Sequence, residues 1–471
     1  MKFISLKKSE LKKFFCTSIM MMMTLYIYSI LRVSKDAIII NSLSAELIST
    51  VKLYGVLPSA VIFMLIYSKV VDLVSRTTLY HIINACFIAF FVLFAFVLYP
   101  HASDVHFELT ELKQRFYYLR YLFIMIENWS FSLYYVFSEL WGSIMISLLF
   151  WQLANQITHI NEAKKVYPLF GLMGQIGLIA SGKMIIFLTQ SLDSWSEVLV
   201  GIVISIVIAG LCLSAALLYL CHNIVGYEVI NGAKKANKKK AMMSFVESMK
   251  YIFSSKYVGL IALIVICYGV SINLVEGVWK KALGIAYPDP RDLGSVMGSI
   301  QVYTGFAVVF AMLCGAHLLR VMSWRAAALF TPFVILITGA LFFAFFIFRD
   351  ALEQDLAVLG ATSIMFAAYF GALQNMLSKA TKYAFFDPAK EMAYIPLDEQ
   401  LKAKGKAAAD VIGGRLGKLG GAFIQWAMIA FIPGSSLVTL APNIAVIFAI
   451  MMILWIVGVF ALSREFEDRI K

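Results

Sequence analysis

Long apolar segments alternate with short polar ones along the whole chain. A membrane-spanning helix needs roughly 20 mostly apolar residues, and the pattern offers twelve such segments. They are Cys16–Arg32, Lys52–Val71, Leu79–Tyr99, Tyr118–Leu149, Leu169–Gln190, Glu197–Cys221, Tyr257–Glu276, Val296–Leu318, Ala327–Phe348, Leu356–Leu377, Ala407–Phe431 and Ala441–Leu462. The pattern therefore predicts an all-α, polytopic membrane protein with about twelve transmembrane helices.

The composition agrees with a protein whose solvent is the lipid bilayer. Hydrophobic residues make up 61% of the 471 residues and charged residues only 14%, with a mean hydropathy of +0.83. This leaves too little polar surface to solubilise a globular fold. The six cysteines lie in or beside apolar segments without metal-ligand spacing, so we expect packing residues and no metal site.

The distribution of basic residues predicts the orientation in the membrane. With both termini in the cytoplasm, the cytoplasmic segments hold 26 Lys and Arg residues and the opposite loops hold 7. Basic loops are retained on the cytoplasmic side, so this arrangement is favoured. The net charge of +12 is spread over these loops, so no nucleic-acid partner is expected.

The longest predicted cytoplasmic loop divides the spans six and six. It contains the basic cluster Lys234–Lys240. We expect a six-helix bundle at residues 1–221, a basic linker at 222–256 and a second six-helix bundle at 257–471. Two such bundles are typical of secondary transporters, with the substrate site between them near mid-membrane.

Enzymatic and ATP-driven functions are disfavoured by what the sequence lacks. It has no GxxxxGK[ST] phosphate loop, and no cluster of catalytic residues gathers at an interface. We therefore predict a transporter that is not an enzyme and needs no cofactor.

Ionised residues inside the apolar segments are the candidates for binding chemistry. A charge at the centre of a spanning helix costs roughly 2.5–3.5 kcal/mol on insertion scales, so it needs a partner or a function. Arg32 and Lys35 share a helix face at the end of the first segment, and Lys52 opens the second. Glu139 lies between apolar turns of the fourth segment, and Glu276 ends the seventh.

The eleventh segment adds two further cations among five glycines. Its motif DVIGGRLGKLGG places Arg415 and Lys418 on one helix face. Several cations drawn toward the interior of a bundle suit a polyanion, and phosphate groups are the natural candidate because Arg and Lys both bind them well.

Structural roles for the same residues remain open at this point. Lys35 and Lys52 are equally consistent with snorkelling to the membrane surface. Arg415 and Lys418 have a structural alternative as partners of Asp410. Asp36 is placed to pair with Arg32 four residues earlier on a helix.

Glu139 and Glu276 have structural alternatives as well. Lys183 is a candidate buried partner that would neutralise Glu139. Glu276, at the end of its segment, is also compatible with a simple position at the membrane interface.

Several long motifs resemble the nucleotide transporter family of plastids and obligate intracellular bacteria, the ATP/ADP translocases. They are FSELWGSIMISLLFWQLANQITHINEAKKVYPLFGLMGQ, GVSINLVEGVWKKAL and LQNMLSKATKYAFFDPAKEMAYIPLDEQLKAKGKAAADVIGGRLGKLGGAFIQ. The resemblance covers essentially all the spans. It implies a fold similar to the major facilitator type, with nucleotide exchange or proton-coupled nucleotide import. It also implies a multi-pass protein of a bacterial inner membrane, which we expect to be a monomer.

The resemblance also assigns roles to individual residues. The family's transport-critical charges match Lys35, Glu139, Glu276 and Lys418. We assign Lys35 and Lys418 to binding of the substrate phosphates. By extension, we assign a second set of cations to the same role. That second set is Arg32, Lys52, Lys382 and Arg415. Glu139 and Glu276 are then expected to act in coupling or gating.

One departure from the family pattern bears on the substrate. The motif that ends LGKSGG in many relatives reads LGKLGG here, with Leu419 in place of a hydroxyl residue. We expect ATP/ADP exchange by alternating access. Proton-coupled import of other nucleoside phosphates stays open, as does a facilitator-type carrier for an unrelated anion.

Overall fold

The computed structural model describes residues 8–71, 73–231, 255–357, 362–398 and 405–470. All regular structure in these residues is helical. The long helices are α1 Lys8–Ser42, α2 Leu47–Val70, α3 Arg76–Leu98, α4 Trp129–Ile157, α5 Ile160–Ser191, α6 Trp195–Val225, α7 Lys256–Ala286, α8 Pro290–Val321, α9 Trp324–Ile347, α10 Ser363–Thr381, α11 Gly414–Phe431 and α12 Ala441–Ile470.

Shorter elements connect or extend these helices. The connecting ones are Ala102–Val105, Thr110–Arg115, Tyr117–Leu119, Arg120–Glu127, Tyr227–Asn231, Arg349–Ala357 and Asp387–Ala393. A π-helical turn at Lys382–Phe386 continues α10, and another at Ala407–Gly413 precedes α11.

Ten helices of the described part are long and apolar enough to cross a membrane. The two remaining long helices, α10 and α11, correspond to the predicted tenth and eleventh spans. They are interrupted by polar residues such as Asn375 and Lys379 on α10 and Lys418 on α11.

Several predicted spans have different bounds in the structure. The predicted seventh span ends at Glu276 but its helix continues to Ala286, and the predicted tenth span begins at Leu356 but α10 begins at Ser363. The predicted span Cys16–Arg32 belongs to a helix that continues to Ser42, since Lys35 and Asp36 are neutralised by ion pairs inside the bundle. The predicted fourth span began at Tyr118, but the long helix begins at Trp129, after a break at Asn128. The cluster Lys234–Lys240, and most of the predicted linker, lie outside the described residues.

Helices α1 and α7 run side by side in the same direction. Arg32 pairs with Glu276, and Asp36, four residues on, pairs with Lys280. Another four residues on, Ile40 packs closely against Gly284. This parallel register puts the first residues of both helices at one end of the bundle, which we call the near end. Ser42 and Ala286, where the two helices finish, lie at the other end, called the far end.

Helices α5 and α8 form a second close contact between the first six and the last six helices. A Cβ atom on Gly182 would lie 2.5 Å from the carbonyl oxygen of Gly298, and one on Gly298 would lie 2.9 Å from that of Gly182. Only glycine at both positions lets the two backbones approach this closely. The two halves therefore share one tightly packed seam along α5 and α8.

Polar contacts join the two halves at the far end. Glu46, which is 2% exposed, accepts the Lys281 ammonium at 3.0 Å and the backbone N–H of Leu437 at 3.2 Å. Arg120 donates to the carbonyl oxygen of Ile429 at 2.9 Å. Because each contact links the first half to the second, the two halves are held together at the far end.

Among the described residues, each ion pair at the near end stays within one half. Lys13 pairs with Glu162 in the first half, and Lys256 pairs with Glu465 in the second. Although partial burial opposes the effect, the hydrogen bond from Lys13 lowers the pKa of the Glu162 carboxyl below its ordinary value. These near-end pairs stabilise each half without tying it to the other.

Candidate functional site

Six charged side chains meet between the halves, about ten residues before the far ends of α1 and α7. We call them the charge cluster. Its members are Arg32, Lys35 and Asp36 of α1, Glu139 of α4, and Glu276 and Lys280 of α7. The cluster holds three cations and three carboxylates, so its formal charges balance.

Within the first half, Lys35 lies at the buried centre of the charge cluster. Its Nζ atom lies 2.8 Å from Asp36 Oδ1 and 2.9 Å from Glu139 Oε1. The same ammonium sits 3.8 Å from the centre of the Tyr135 ring, in cation–π contact. Since Lys35 is 1% exposed, it does not snorkel to the membrane surface.

Two ion pairs cross from α1 to α7. Asp36 Oδ2 lies 2.9 Å from Lys280 Nζ, and Arg32 Nη2 lies 3.6 Å from Glu276 Oε1. Lys280 also contacts Glu276, one turn earlier on its own helix, at 3.1 Å. Asp36 therefore pairs with Lys35 and Lys280. The sequence offered Arg32 as the partner of Asp36, but Arg32 pairs with Glu276.

Exposure differs sharply within the cluster. Lys35, Asp36 and Lys280 are buried, whereas Glu139 and Arg32 are 25% and 28% exposed. Removing charges from water is costly unless they are paired, which explains why the buried members each contact an opposite charge. The partly exposed members are the ones that a ligand entering between the halves would meet first.

Two clefts flank the charge cluster, and both reach Glu276 and Lys280. The α10 cleft lies between α1, α7, α8 and α10. Its polar lining includes Arg32, Asp36, Asn375 and Lys379. The α2 cleft lies between α2, α7 and α11.

Lys52 supplies the cation of the α2 cleft. Its Nζ atom lies 3.2 Å from Asn273 Oδ1 on α7, so a residue of the first half reaches a residue of the second. Within the described residues Lys52 forms no ion pair with a carboxylate. Its positive charge is therefore available to an anion in this cleft.

Arg415 and Lys418 lie apart from the charge cluster. Both side chains are exposed on α11. They share the helix face of Ala422, which lines the α2 cleft. Lys418 lies one turn and Arg415 two turns closer to the near end. Asp410, offered by the sequence as their partner, instead pairs with Lys390 at 3.1 Å.

Lys382 also lies apart from the cluster. It follows α10 and pairs with Asp387 at 2.6 Å, while its ammonium lies 4.6 Å from the centre of the Tyr383 ring. The structure thus brings Arg32, Lys35 and Lys52 together with Glu139 and Glu276. Arg415, Lys418 and Lys382 are placed elsewhere.

Sequence reasoning missed two cations that the structure places at the site. Lys280 follows Glu276 by four residues, and this helical spacing was a usable signal for an ion pair. Lys379 follows Asn375 by one turn near the end of α10, and no sequence pattern singled it out. Glu139 also has a different partner from the one expected, since it pairs with Lys35 and not with Lys183.

The acidic and sulfur-containing residues do not suggest a metal centre. Among the residues that the structure describes, no group of three His, Cys, Asp or Glu side chains is arranged to hold a metal ion.

Known proteins similar in sequence are nucleotide carriers by name. The family model described as TLC ATP/ADP transporter matches residues 1–466. ADP,ATP carrier protein 1 of Rickettsia typhi is 41% identical over 98% of this chain and 95% of its own length. ADP,ATP carrier protein 1 of Chlamydia trachomatis is also 41% identical, over 97% of this chain and 89% of its own length.

Solved structures with a similar fold are also transporters. The nucleoside transporter NupG matches with a TM-score of 0.57 at 13% identity, covering 97% of this chain and 99% of that one. A D-xylose-proton symporter matches with a TM-score of 0.58 at 12% identity, covering 96% and 97%. At this level of identity the likeness concerns the fold alone, and it agrees with the predicted all-α, two-bundle architecture.

Proposed function

Because the chain belongs to the TLC ATP/ADP transporter family, we propose that it exchanges ATP for ADP across a membrane by alternating access. The observation that carries the proposal is the charge cluster at the boundary of the two halves. It combines cations suited to phosphate with ion pairs that join α1 to α7. A ligand bound at this boundary controls how the two halves move relative to each other.

Phosphate binding begins at the exposed cations. Arg32 is held by Glu276 at 3.6 Å, a longer contact than the others in the cluster. A phosphate oxygen that binds Arg32 replaces this carboxylate, and Glu276 keeps its pair with Lys280. Arg415 and Lys418 on α11, closer to the near end, attract the nucleotide before it reaches Arg32, and Lys35 and Lys52 complete the phosphate site.

The same ion pairs explain why transport is an exchange. In the empty site, Asp36 with Lys280 and Arg32 with Glu276 hold α1 and α7 together. Opening the far end without a ligand would separate these charges and leave them unpaired in a poorly solvated space. A bound nucleotide supplies replacement partners, so the loaded carrier crosses the barrier more readily than the empty one.

We propose that the protein lies in the inner membrane of an intracellular bacterium as a monomer, with both termini in the cytoplasm. The bias of basic residues toward the predicted cytoplasmic loops supports this orientation. The near end then faces the cytoplasm, and the closed far end faces outward. In this orientation the structure corresponds to an inward-facing state, with residues 1–221 and 257–471 as the two moving units.

Proton-coupled import of another nucleoside phosphate is the second candidate. It is favoured by Glu139, a partly exposed carboxylate whose one ion-pair partner is Lys35. Protonation of Glu139 would release Lys35 toward a substrate phosphate and so link a proton to loading. Glu276, between Arg32 and Lys280, is assigned to gating in both schemes.

The decisive experiment measures uptake of labelled ATP into liposomes that contain the purified protein. Exchange predicts fast uptake only when ADP or ATP is present inside, with little effect of a protonophore. Proton-coupled import predicts uptake into empty liposomes that a pH gradient drives. Uptake of a non-phosphorylated solute that nucleotides do not inhibit would refute both schemes.

A further inference from the structure

The α10 cleft contains a cation that the proposed function has not used. Lys379 lies on α10, one turn after Asn375, and both residues line the cleft. Arg32 of α1 and Lys280 of α7 line the same cleft. Three cations from three different helices therefore line one cleft.

The ion pairs of the region leave two cations without a carboxylate. The three acids Asp36, Glu139 and Glu276 are shared among Arg32, Lys35 and Lys280. Neither of the two remaining cations, Lys52 and Lys379, forms an ion pair with any described residue. These five cations and three carboxylates leave two formal positive charges in excess.

These two excess charges come from different halves of the molecule. Lys52 belongs to α2 and lines the α2 cleft, while Lys379 belongs to α10 and lines the α10 cleft. Both clefts share Glu276 and Lys280, so the two cations flank the same ion pair. An uncompensated cation inside a membrane protein is costly, and a multiply charged anion offsets that cost.

We propose that Lys379 binds a phosphate group of the nucleotide in the α10 cleft. The proposal rests on the proposed function. It adds a phosphate-binding residue that belongs to the second half. Lys379 is free to accept a phosphate without first breaking an ion pair, unlike Lys35 and Lys280. It therefore acts as a primary contact for the nucleotide, with Asn375 beside it as an amide hydrogen-bond donor.

The test compares three variants of the full-length protein. Lys379→Gln removes the charge and keeps a polar side chain, and Lys379→Arg keeps the charge. Lys256→Gln is the matched control, because Lys256 is an exposed near-end lysine paired with Glu465. Equilibrium binding of ATP, ADP and AMP is measured for each purified protein, together with the melting temperature without nucleotide.

We expect Lys379→Gln to weaken ATP binding about tenfold or more, since a hydrogen bond to a charged group is lost. The difference in affinity between ATP and AMP should shrink as well. Lys379→Arg should restore most of the affinity, and Lys256→Gln should bind as the wild type does. Without nucleotide, Lys379→Gln should melt at the same or a higher temperature, because repulsion from Arg32 and Lys280 is relieved.

Two results overturn this proposal alone. Wild-type ATP affinity in Lys379→Gln shows that the side chain does not touch the phosphates. A lower melting temperature with an unchanged ratio of ATP to AMP affinity shows that Lys379 is a structural residue. If the wild type itself neither binds nor exchanges nucleotides, the proposed function fails first and takes this inference with it.

Discussion

At the scale of single residues, burial separates two lysines that look alike in the sequence. Lys35 and Lys418 both match transport-critical positions of the family pattern. Lys35 is buried between two carboxylates and an aromatic ring, whereas Lys418 is exposed on α11 without an ion pair among the described residues. We therefore expect Lys35 to combine a structural role with substrate binding, and Lys418 to have a binding role only.

Replacing these two lysines should separate stability from transport. Lys35→Ala leaves Glu139 without its ion-pair partner, so we expect a loss of roughly 3–5 kcal/mol of stability together with loss of exchange. Lys418→Ala should reduce exchange and leave the melting temperature unchanged. Thermal unfolding and liposome exchange on the same preparations check both. Equal destabilisation by the two variants would contradict the different placement of these lysines.

A change at Glu139 should alter binding and turnover in opposite senses. Glu139→Gln removes one of the two carboxylates that hold Lys35. A substrate phosphate then meets less competition for the ammonium, so we expect a lower KM for ATP and a lower maximal rate, because release becomes slower. Exchange kinetics over a range of ATP concentrations test this. A raised KM would mean that Glu139 helps to bind the substrate.

The residues of the site were only partly predictable from sequence. A charge inside an apolar segment is visible in the sequence, and this signal correctly singled out Arg32, Lys35 and Glu139 as residues of the interior. Pairing between helices is not visible, because it depends on the register of α1 against α7. The sequence therefore offered Arg32 as the partner of Asp36, although the actual partner, Lys280, lies on a distant helix.

At the scale of elements, the seam between α5 and α8 holds the halves together while the clefts lie beside it. Gly182 and Gly298 bring the two backbones into contact. Glycines within apolar segments are visible in the sequence, but the helices that they pack against are not. Helix ends were also hard to predict where charges are paired inside the bundle, as at the end of α1.

A methyl group at the seam should destabilise the protein. Gly182→Ala places a carbon 2.5 Å from a backbone oxygen, so the helices must separate, and we expect a cost of about 1–3 kcal/mol. Gly171→Ala on the same helix is the control, since its nearest contact would be the flexible Met312 side chain at 3.8 Å. Thermal unfolding compares them, and equal melting temperatures would show that the seam tolerates separation.

At the scale of the whole molecule, several polar contacts join the two halves at the far end. Glu46, Arg120 and their partners join the two halves there, whereas the near-end ion pairs stay within each half. The twelve-helix, two-bundle plan was predictable from hydrophobic periodicity and basic loops. Which end is closed was not, because it depends on contacts between loops that are distant in the sequence.

Weakening the far-end closure should expose the site from that side. Ser49 lines the α2 cleft and is buried. In a variant without the native cysteines, Ser49→Cys should react slowly with an impermeant thiol reagent added on the far side. Adding Glu46→Gln should speed this reaction severalfold, because the Lys281 pair and the Leu437 hydrogen bond weaken. Lys256→Gln serves as the control, and an unchanged rate would show that other contacts hold the far end closed.

The charges along the contact of α1 and α7 reverse sign from one turn to the next. Arg32 faces Glu276, and Asp36 faces Lys280. Sliding one helix past the other by a single turn, about 5.4 Å, would set Arg32 against Lys280 or Asp36 against Glu276. Either slip puts like charges together, so a piston-like ratchet is penalised in both directions. The two helices are left free to swing apart and return to the same alignment in every cycle.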